Sequence, residues 1–120
     1  MSKRILVVED QEDSRRILRD LLTSADYEIM EAVNGEEALT AAAKQRPDLI
    51  LMDIQLPIMD GYEATRRIKA DPTLTHVPVI AVTSYALSGD KAKARAAGCD
   101  DFVPKPYSPR QLTKIRQLLR

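Results

Sequence analysis

Short apolar runs alternate with helical patterns five times along this chain of 120 residues. Such alternation is typical of a parallel sheet whose strands are joined by crossover helices, which predicts the α/β class. Three of the runs are apolar throughout, so helices should cover both of their faces. The predicted strands span residues 5–8, 28–32, 49–52, 79–82 and 101–103.

Capping residues mark where several of the helices should begin. Three pairs fit the capping box, in which a short polar side chain and a Glu or Gln three positions later satisfy backbone N–H groups at the helix start. Proline at the first helical position, as at Pro109, is also favoured there. The pairs are Asn34 with Glu37, Asp60 with Glu63, and Ser108 with Gln111.

The predicted helices differ in how much apolar surface they offer to the sheet. The first and the last each carry an apolar face that should pack on it. These faces comprise Ile17, Leu18, Leu21 and Leu22 in the first helix, and Leu112, Ile115, Leu118 and Leu119 in the last. The fourth helix, about residues 88–97, offers almost only alanine, which buries little area. It is predicted to be the most weakly anchored helix, with a merely exposed helix as the alternative.

The composition excludes several classes of protein. The length fits one domain over residues 1–120, and 18 basic residues balance 18 acidic ones, so no overall field favours nucleic acid or an anionic membrane. The apolar runs are far shorter than the roughly 20 residues needed to cross a bilayer, and the N-terminus lacks a signal-peptide pattern. Cys99 is the single cysteine and is interpreted as a small buried hydrophobe in a reducing compartment. We therefore expect a cytoplasmic protein.

Polar side chains that could bind a ligand or take part in a reaction follow four of the five predicted strands. Glu9 and Asp10 follow the first, Asp53 the third, Thr83 the fourth and Lys105 the fifth. In open parallel sheets, ligands bind at the carboxyl ends of the strands, where the strand order reverses. If the strand order is the common 2-1-3-4-5, that reversal lies between strands one and three. The three carboxylates would then meet there.

Three neighbouring carboxylates repel one another unless a cation or a proton is present. Mg²⁺ is the natural candidate, because it prefers oxygen ligands and binds phosphate oxygens. Lys105 could meet a phosphate oxygen and the Thr83 hydroxyl another, so the set predicts a phosphoryl site. Asp53 is the favoured nucleophile, since a carboxylate can form an aspartyl phosphate. Each of these residues alone is more often a helix cap, a turn residue or a solvent-exposed side chain, and it is their joint placement at four strand ends that indicates a site.

Four segments together resemble the receiver domain of two-component response regulators, the family of the chemotaxis protein CheY. The resemblance covers the whole chain, and as a set the segments are highly specific. They read ILVVED at residues 5–10, LILMDIQLPIMDG at residues 49–61, PVIAVT at residues 78–83 and FVPKP at residues 102–106.

The resemblance implies a flavodoxin-like, doubly wound sheet of order 2-1-3-4-5 with five helices. It implies that Asp53 accepts a phosphoryl group from a histidine kinase or a histidine phosphotransfer protein. Mg²⁺, or Mn²⁺ in its place, would be bound by Asp10 and Asp53, with Glu9 acting through water and Gln55 through its backbone carbonyl. The protein would not be an enzyme in the usual sense, since it would catalyse only its own phosphorylation and dephosphorylation.

The resemblance also implies a conformational switch. Thr83 would move toward the phosphate while Phe102 turns inward, which would remodel the surface of helix 4, strand 5 and helix 5 for a protein partner. The bond between Lys105 and Pro106 is expected to be cis. One departure from the family is that Phe102 lacks the hydroxyl of the tyrosine that many members carry.

Three functional hypotheses follow from these observations. The first is a stand-alone receiver that acts through protein contacts, with no output domain, membrane or nucleic acid involved. Residues 53–57 are similar to cell-cycle receivers of the DivK kind. The second is an aspartate-nucleophile phosphatase, which is disfavoured because Gln55 stands where that class needs a general acid. The third is a longer natural protein that continues past Arg120 into an output domain.

Overall fold

Five parallel strands form one sheet in a computed structural model that describes residues 3–83, 90–104 and 110–119. Their order is β2-β1-β3-β4-β5, which confirms the predicted order. The third and fourth strands each run one residue further than predicted, so Asp53 and Thr83 end their strands rather than follow them. The strands are β1 (Arg4–Val8), β2 (Glu28–Ala32), β3 (Leu49–Asp53), β4 (Val79–Thr83) and β5 (Asp101–Pro104).

Over the described ranges, five helices alternate with the strands. None of the helices among the described residues combines the length and the apolar character needed to cross a membrane. The helix bounds are α1 (Glu12–Ser24), α2 (Gly35–Lys44), α3 (Gly61–Ala70), α4 (Asp90–Ala97) and α5 (Arg110–Leu118).

Two of the predicted capping residues lie where the sequence placed them. The Asn34 side chain accepts a hydrogen bond from the backbone N–H of Glu37 at 2.8 Å, and Asp60 does the same for Glu63 at 2.9 Å. The Glu37 carboxylate returns to the backbone N–H of Val33, one residue earlier than the usual capping box. The third predicted pair falls partly on Ser108 and Pro109, which lie outside the described residues.

The core has two halves, one on each face of the sheet. Alternate residues of β1, β3 and β4 point to opposite faces, and nearly all of them are fully buried. On one face they pack against α1 and α5, and on the other against α2, α3 and α4. Helices therefore cover both faces, as the uninterrupted apolar runs predicted. Ala94 and Ala97 are buried in α4, and such small side chains bury little area.

The prediction for one residue of α1 was wrong. Leu18 and Leu22 are buried against the sheet, but Ile17 is 53% exposed. In an α-helix each residue is rotated by about 100° from the previous one, so Ile17 falls beyond the stripe centred on Leu18 and Leu22. An apolar residue next to a helical stripe is thus not always part of it.

A polar cluster ties α3 and the turn after α4 to the amino end of β4. The Asp100 carboxylate accepts hydrogen bonds from the Val79 backbone N–H at 2.8 Å and the Lys69 ammonium at 3.0 Å. That ammonium also donates to the Val77 carbonyl at 2.8 Å. We call Lys69, Val77, Val79 and Asp100 the amino-edge cluster. It lies at the end of the sheet opposite to the carboxylates described below.

Cys99 is buried beside this cluster, as predicted. Its thiol lies 3.8 Å from the Thr65 hydroxyl, to which it donates a weak hydrogen bond. Burial raises the pKa of the Cys99 thiol, because the interior disfavours the charged thiolate. The side chain therefore behaves as a small neutral hydrophobe.

Candidate phosphoryl and metal site

The carboxyl ends of β1 and β3 place three acidic residues at one crevice, because these strands are direct neighbours in the sheet. The backbone ladder continues into the crevice on both sides. Glu9 donates its N–H to the Ala32 carbonyl of β2, and Ile54 donates its N–H to the Val82 carbonyl of β4, both at 3.0 Å. The main chain is thus held by hydrogen bonds up to the acidic residues themselves.

Carboxylate oxygens of Glu9, Asp10 and Asp53 lie within 4.8 Å of one another. Glu9 is 0% exposed and Asp53 is 4% exposed, whereas Asp10 is open to solvent. The cluster is therefore buried on the side of the sheet and open to solvent on the side of Asp10. The structure brings together the three residues that the sequence proposed as neighbours.

Backbone N–H groups orient two of these carboxylates. The N–H of Gln55 donates to Oδ1 of Asp53 at 2.9 Å, which fixes the rotation of that carboxylate. The N–H of Gln11 makes a longer contact of 3.4 Å with Oε2 of Glu9. The carboxylate oxygens are thereby held in defined directions, as binding a cation or attacking phosphorus requires.

The residues present fit a divalent cation. Three carboxylates at this separation supply the hard oxygen ligands that Mg²⁺ prefers, and the exposed side at Asp10 leaves room for the waters that Mg²⁺ retains. A bound cation would also offset the mutual repulsion of the three negative charges. The geometry can thus hold a metal and present an anionic nucleophile next to it.

Thr83 ends β4 and is 2% exposed. Asp53 is paired in register with Val82, so Thr83 lies one residue beyond the level of Asp53 on the neighbouring strand. Its side chain borders an open cleft of about 420 Å³. The other described residues that line this cleft are Ile54, Gln55, Leu56, Asp60 and Tyr62.

The remaining predicted site residues lie in β5 or after it. Phe102 is half-buried and packs against the half of the core that includes α4. Lys105 and Pro106 lie outside the described residues, so the predicted phosphate contact and the cis bond remain predictions.

Gly61 is a site residue that sequence reasoning missed. It begins α3, and its N–H donates to the Ile54 carbonyl at 3.0 Å. A Cβ atom added at Gly61 would lie 2.8 Å from the Cα of Ile54 and 3.0 Å from the carbonyl carbon of Asp53, closer than side chains normally approach. Only glycine lets α3 start so close to the strand that carries Asp53. The Asp-Gly pair at residues 60–61 was the available signal.

The loop between β3 and α3 contains a second unusual position. Ile58 has a φ of 68°, and the N–H of Met59 bonds to the carbonyl of Pro57 at 2.7 Å across it, which forms a γ-turn. A β-branched residue in the left-handed region is strained. The Ile58 side chain is 76% exposed. The loop next to Asp53 therefore holds backbone strain together with an exposed apolar side chain.

Comparisons with known proteins agree with this geometry. The response regulator receiver domain family matches residues 5–117. The polar-differentiation response regulator DivK of Brucella anthropi is 46% identical over 99% of this chain and 98% of its own length.

Two solved structures carry the same fold. One is the receiver domain of a sensor histidine kinase from Pseudomonas aeruginosa, described with a magnesium ion in its active-site cleft. It has a TM-score of 0.89 at 38% identity and covers 98% of this chain and 96% of its own. The chemotaxis protein CheY4 of Vibrio cholerae has a TM-score of 0.92 at 28% identity, with 100% of both chains covered. The chain therefore belongs to the response regulator receiver domain family, the signalling domain of two-component systems.

Proposed function

We propose that this chain, as one receiver domain over residues 1–120, accepts a phosphoryl group on Asp53 within a two-component phosphorelay. The observation that carries the proposal is the cluster of Glu9, Asp10 and Asp53, whose carboxylate oxygens lie within 4.8 Å of one another at the carboxyl edge of the sheet. Its inner carboxylate, Asp53, ends a buried strand and is oriented by a backbone N–H. A carboxylate held in this way is suited to nucleophilic attack.

The proposed step is transfer from a phosphohistidine. An oxygen of Asp53 attacks phosphorus, the P–N bond breaks, and the histidine of the donor leaves with the electron pair and takes up a proton. The product is an acyl phosphate on Asp53. The Thr83 hydroxyl would donate a hydrogen bond to one phosphoryl oxygen, and the Lys105 ammonium would pair with another. Hydrolysis of the acyl phosphate by water would release inorganic phosphate and return the chain to its first state, so the chain would catalyse only its own phosphorylation and dephosphorylation.

Glu9, Asp10 and Asp53 would hold Mg²⁺, or Mn²⁺, together with the backbone carbonyl of Gln55. The ion would neutralise charge on the phosphoryl oxygens when bound. Support comes from the three-carboxylate donor set and its one exposed side. The related receiver domain from Pseudomonas aeruginosa is itself described with magnesium in its active-site cleft.

We propose further that phosphorylation is read at the face formed by α4, β5 and α5. Thr83 ends β4 immediately before the connection to α4, and Phe102 packs in the half of the core to which α4 contributes Ala94. A shift of Thr83 toward a phosphate would leave space that Phe102 could fill. Because α4 is anchored by small side chains, it can change position at low cost.

The proposed partners are proteins. A histidine kinase or a histidine phosphotransfer protein would supply the phosphoryl group, and a downstream protein would bind the switched face. We propose that the chain acts in the cytoplasm with neither nucleic acid nor a membrane as its partner, as a regulator similar to DivK, which is named a polar-differentiation response regulator. The balance of 18 basic and 18 acidic residues agrees with this choice of partner.

Substitution of the nucleophile tests the phosphorylation step. Asp53→Asn should abolish labelling by acetyl phosphate while the far-UV circular dichroism spectrum is unchanged, because the amide keeps the shape but is not nucleophilic. Asp20→Asn is the matched control, since Asp20 is an exposed residue of α1 that undergoes the same chemical change. Intact-mass spectrometry reads the phosphoryl adduct. Retained labelling of Asp53→Asn would refute the assignment.

Substitution of a ligand tests the metal site. Asp10→Ala should remove Mg²⁺ binding, because it deletes one of three carboxylates in the cluster. Isothermal titration calorimetry measures the binding, with Asp20→Ala as the control. An unchanged Mg²⁺ dissociation constant in Asp10→Ala would count against the acidic cluster as the metal site.

A further inference from the structure

Arg15 of α1 contacts the backbone of the acidic cluster rather than its carboxylates. Its Nη1 donates a hydrogen bond to the backbone carbonyl of Glu9 at 2.9 Å. The Arg15 side chain is only 15% exposed. Neither the motif pattern nor the apolar periodicity of the sequence singled out this residue.

A second acidic residue holds the Arg15 guanidinium in place. Its Nε lies 3.3 Å from Oε1 of Glu31, which projects from the neighbouring edge strand β2. Arg19, one helical turn further along α1, donates two hydrogen bonds to the same carboxylate, at 3.0 and 2.8 Å. These two bonds lower the pKa of Glu31, with help from the nearby Arg15 charge. The Glu31 carboxylate therefore stays ionised and fixes the orientation of Arg15.

The carbonyl that Arg15 contacts belongs to the peptide between Glu9 and Asp10. A peptide unit is planar, so holding its oxygen also sets the direction of the N–H of Asp10 and of the chain that follows. On the other side of Glu9, the ladder bond to Ala32 fixes the backbone N–H. Arg15 thus completes the restraint at the point where the chain leaves β1 and where Asp10 becomes exposed.

We propose that Arg15 is a positioning residue for the metal site, holding the Glu9–Asp10 peptide so that both carboxylates face Asp53. This inference rests on the proposed function of the acidic cluster as a Mg²⁺ site. Arg15 acts through the backbone and does not contact the cation or the phosphoryl group. Arg19 and Glu31 serve to orient it.

The sign of the effect separates positioning from simple charge. Arg15 carries a positive charge close to a cation site, so removing that charge alone would strengthen Mg²⁺ binding. Loss of positioning would instead weaken it, as substitutions of residues that orient metal ligands usually do, by about 10- to 100-fold. The two explanations therefore predict opposite changes in the same measurement.

The experiment compares two substitutions of Arg15 with the same two at its neighbour. Arg15→Gln removes the charge and Arg15→Lys keeps it, while both lose the fork that bridges Glu31 and the Glu9 carbonyl. Arg16→Gln and Arg16→Lys are the matched controls, because Arg16 is 63% exposed and pairs only with Asp13 among its described contacts. Because the chain contains no tryptophan whose fluorescence could report Mg²⁺ binding, the titration is followed by amide chemical shifts in NMR.

We expect both Arg15 variants to bind Mg²⁺ about tenfold more weakly than the unsubstituted protein. Both Arg16 variants should bind it normally. In the metal-free protein, the amide signals of Asp10 and Gln11 should shift in the Arg15 variants and not in the Arg16 variants. This second measurement requires neither a metal nor phosphorylation.

Three results would overturn the inference: tighter or unchanged Mg²⁺ binding in Arg15→Gln, equal weakening in Arg16→Gln, or unchanged Asp10 and Gln11 amide signals in the metal-free Arg15 variants. Failure of the unsubstituted chain to bind Mg²⁺ would instead overturn the proposed function of the acidic cluster. The amide signals of the metal-free variants would then still decide whether Arg15 holds the Glu9–Asp10 peptide.

Discussion

Asp53 occupies the last position of a fully buried strand, and the chain turns away immediately after it. Its carboxylate is oriented by the N–H of Gln55, and the following residue is tied to β4 through the Val82 carbonyl. Both restraints come from backbone groups, so they do not depend on which other side chains surround the crevice. A site built in this way is organised before any ligand arrives, which is the usual requirement for efficient chemistry on a bound group.

At the same residue scale, Gly61→Ala should destabilise the protein and weaken Mg²⁺ binding together. The added methyl group would lie 2.8 Å from the Cα of Ile54, so the start of α3 or the end of β3 must move. Overpacking of this kind costs about 1–3 kcal/mol, which exceeds the gain of roughly 1 kcal/mol that alanine brings to a helix. Urea unfolding measures the first effect and NMR titration the second. An unchanged urea midpoint would show that the loop accommodates the methyl group.

At the scale of elements, the amino-edge cluster links α3 and the turn after α4 to the amino end of β4. Asp100→Ala would leave the Val79 N–H and the Lys69 ammonium without their carboxylate acceptor. Loss of a partner by a partly buried polar group costs about 1–3 kcal/mol, so we expect a lower free energy of unfolding. Asp100→Asn keeps an oxygen acceptor for Val79 and should cost less. Chemical denaturation measures both, and equal stability of Asp100→Ala and the unsubstituted chain would contradict the role of the cluster.

The contact between α1 and β2 should make stability depend on acid pH. The hydrogen bonds from Arg19 lower the pKa of Glu31 in the folded state below its ordinary value of 4.5. Above that value the stabilisation is fully present, and as the pH falls through the folded pKa it is lost, because the unfolded chain binds the proton first. The pair is partly exposed, so the effect should be under about 1 kcal/mol and smaller at high salt.

Glu31→Gln tests this dependence. The variant should lose less stability than the unsubstituted protein between neutral pH and about pH 3.5, because the group that titrates has been removed. Glu36→Gln, at an exposed position of α2, is the control. Urea unfolding at each pH gives the free energy of unfolding of both proteins. An equal loss of that free energy toward acid pH in Glu31→Gln and in the unsubstituted protein would exclude the Glu31 contribution.

At the scale of the whole molecule, the uninterrupted apolar runs predicted the layers, because burial on both faces imposes such runs. The strand order was the common one, which the family resemblance implied, and the structure has that order. The sequence also brought Glu9, Asp10 and Asp53 together, since the carboxyl ends of parallel neighbours must share an edge. The prediction for Ile17 was wrong because it assigned Ile17 and Leu18 to one helix face, although a rotation of about 100° separates them. The sequence could not predict the contacts of Gly61 and Arg15, because these depend on how the turns after β1 and β3 bring Arg15 back to Glu9 and Gly61 back to Ile54.

The acidic cluster and the amino-edge cluster lie at opposite ends of the sheet. β4 has five residues, so its ends are about 13 Å apart at roughly 3.3 Å per residue. Substitutions separated by more than about 10 Å without shared partners usually have additive effects on stability. The changes in unfolding free energy of Asp53→Asn and Asp100→Asn should therefore add in the double variant. A coupling energy above about 0.5 kcal/mol in the double-mutant cycle would show that the two edges communicate.

The separation of these two edges has an evolutionary consequence. Substitutions around Lys69 and Asp100 can be selected for their effect on stability alone, because they lie a strand's length from Asp53. Under the proposed function, substitutions of the exposed Asp10 and Gln55 act on metal binding and phosphoryl transfer rather than on the amino-edge cluster. If the proposed function holds, stability and signalling can therefore evolve separately, each through substitutions at its own end of the sheet.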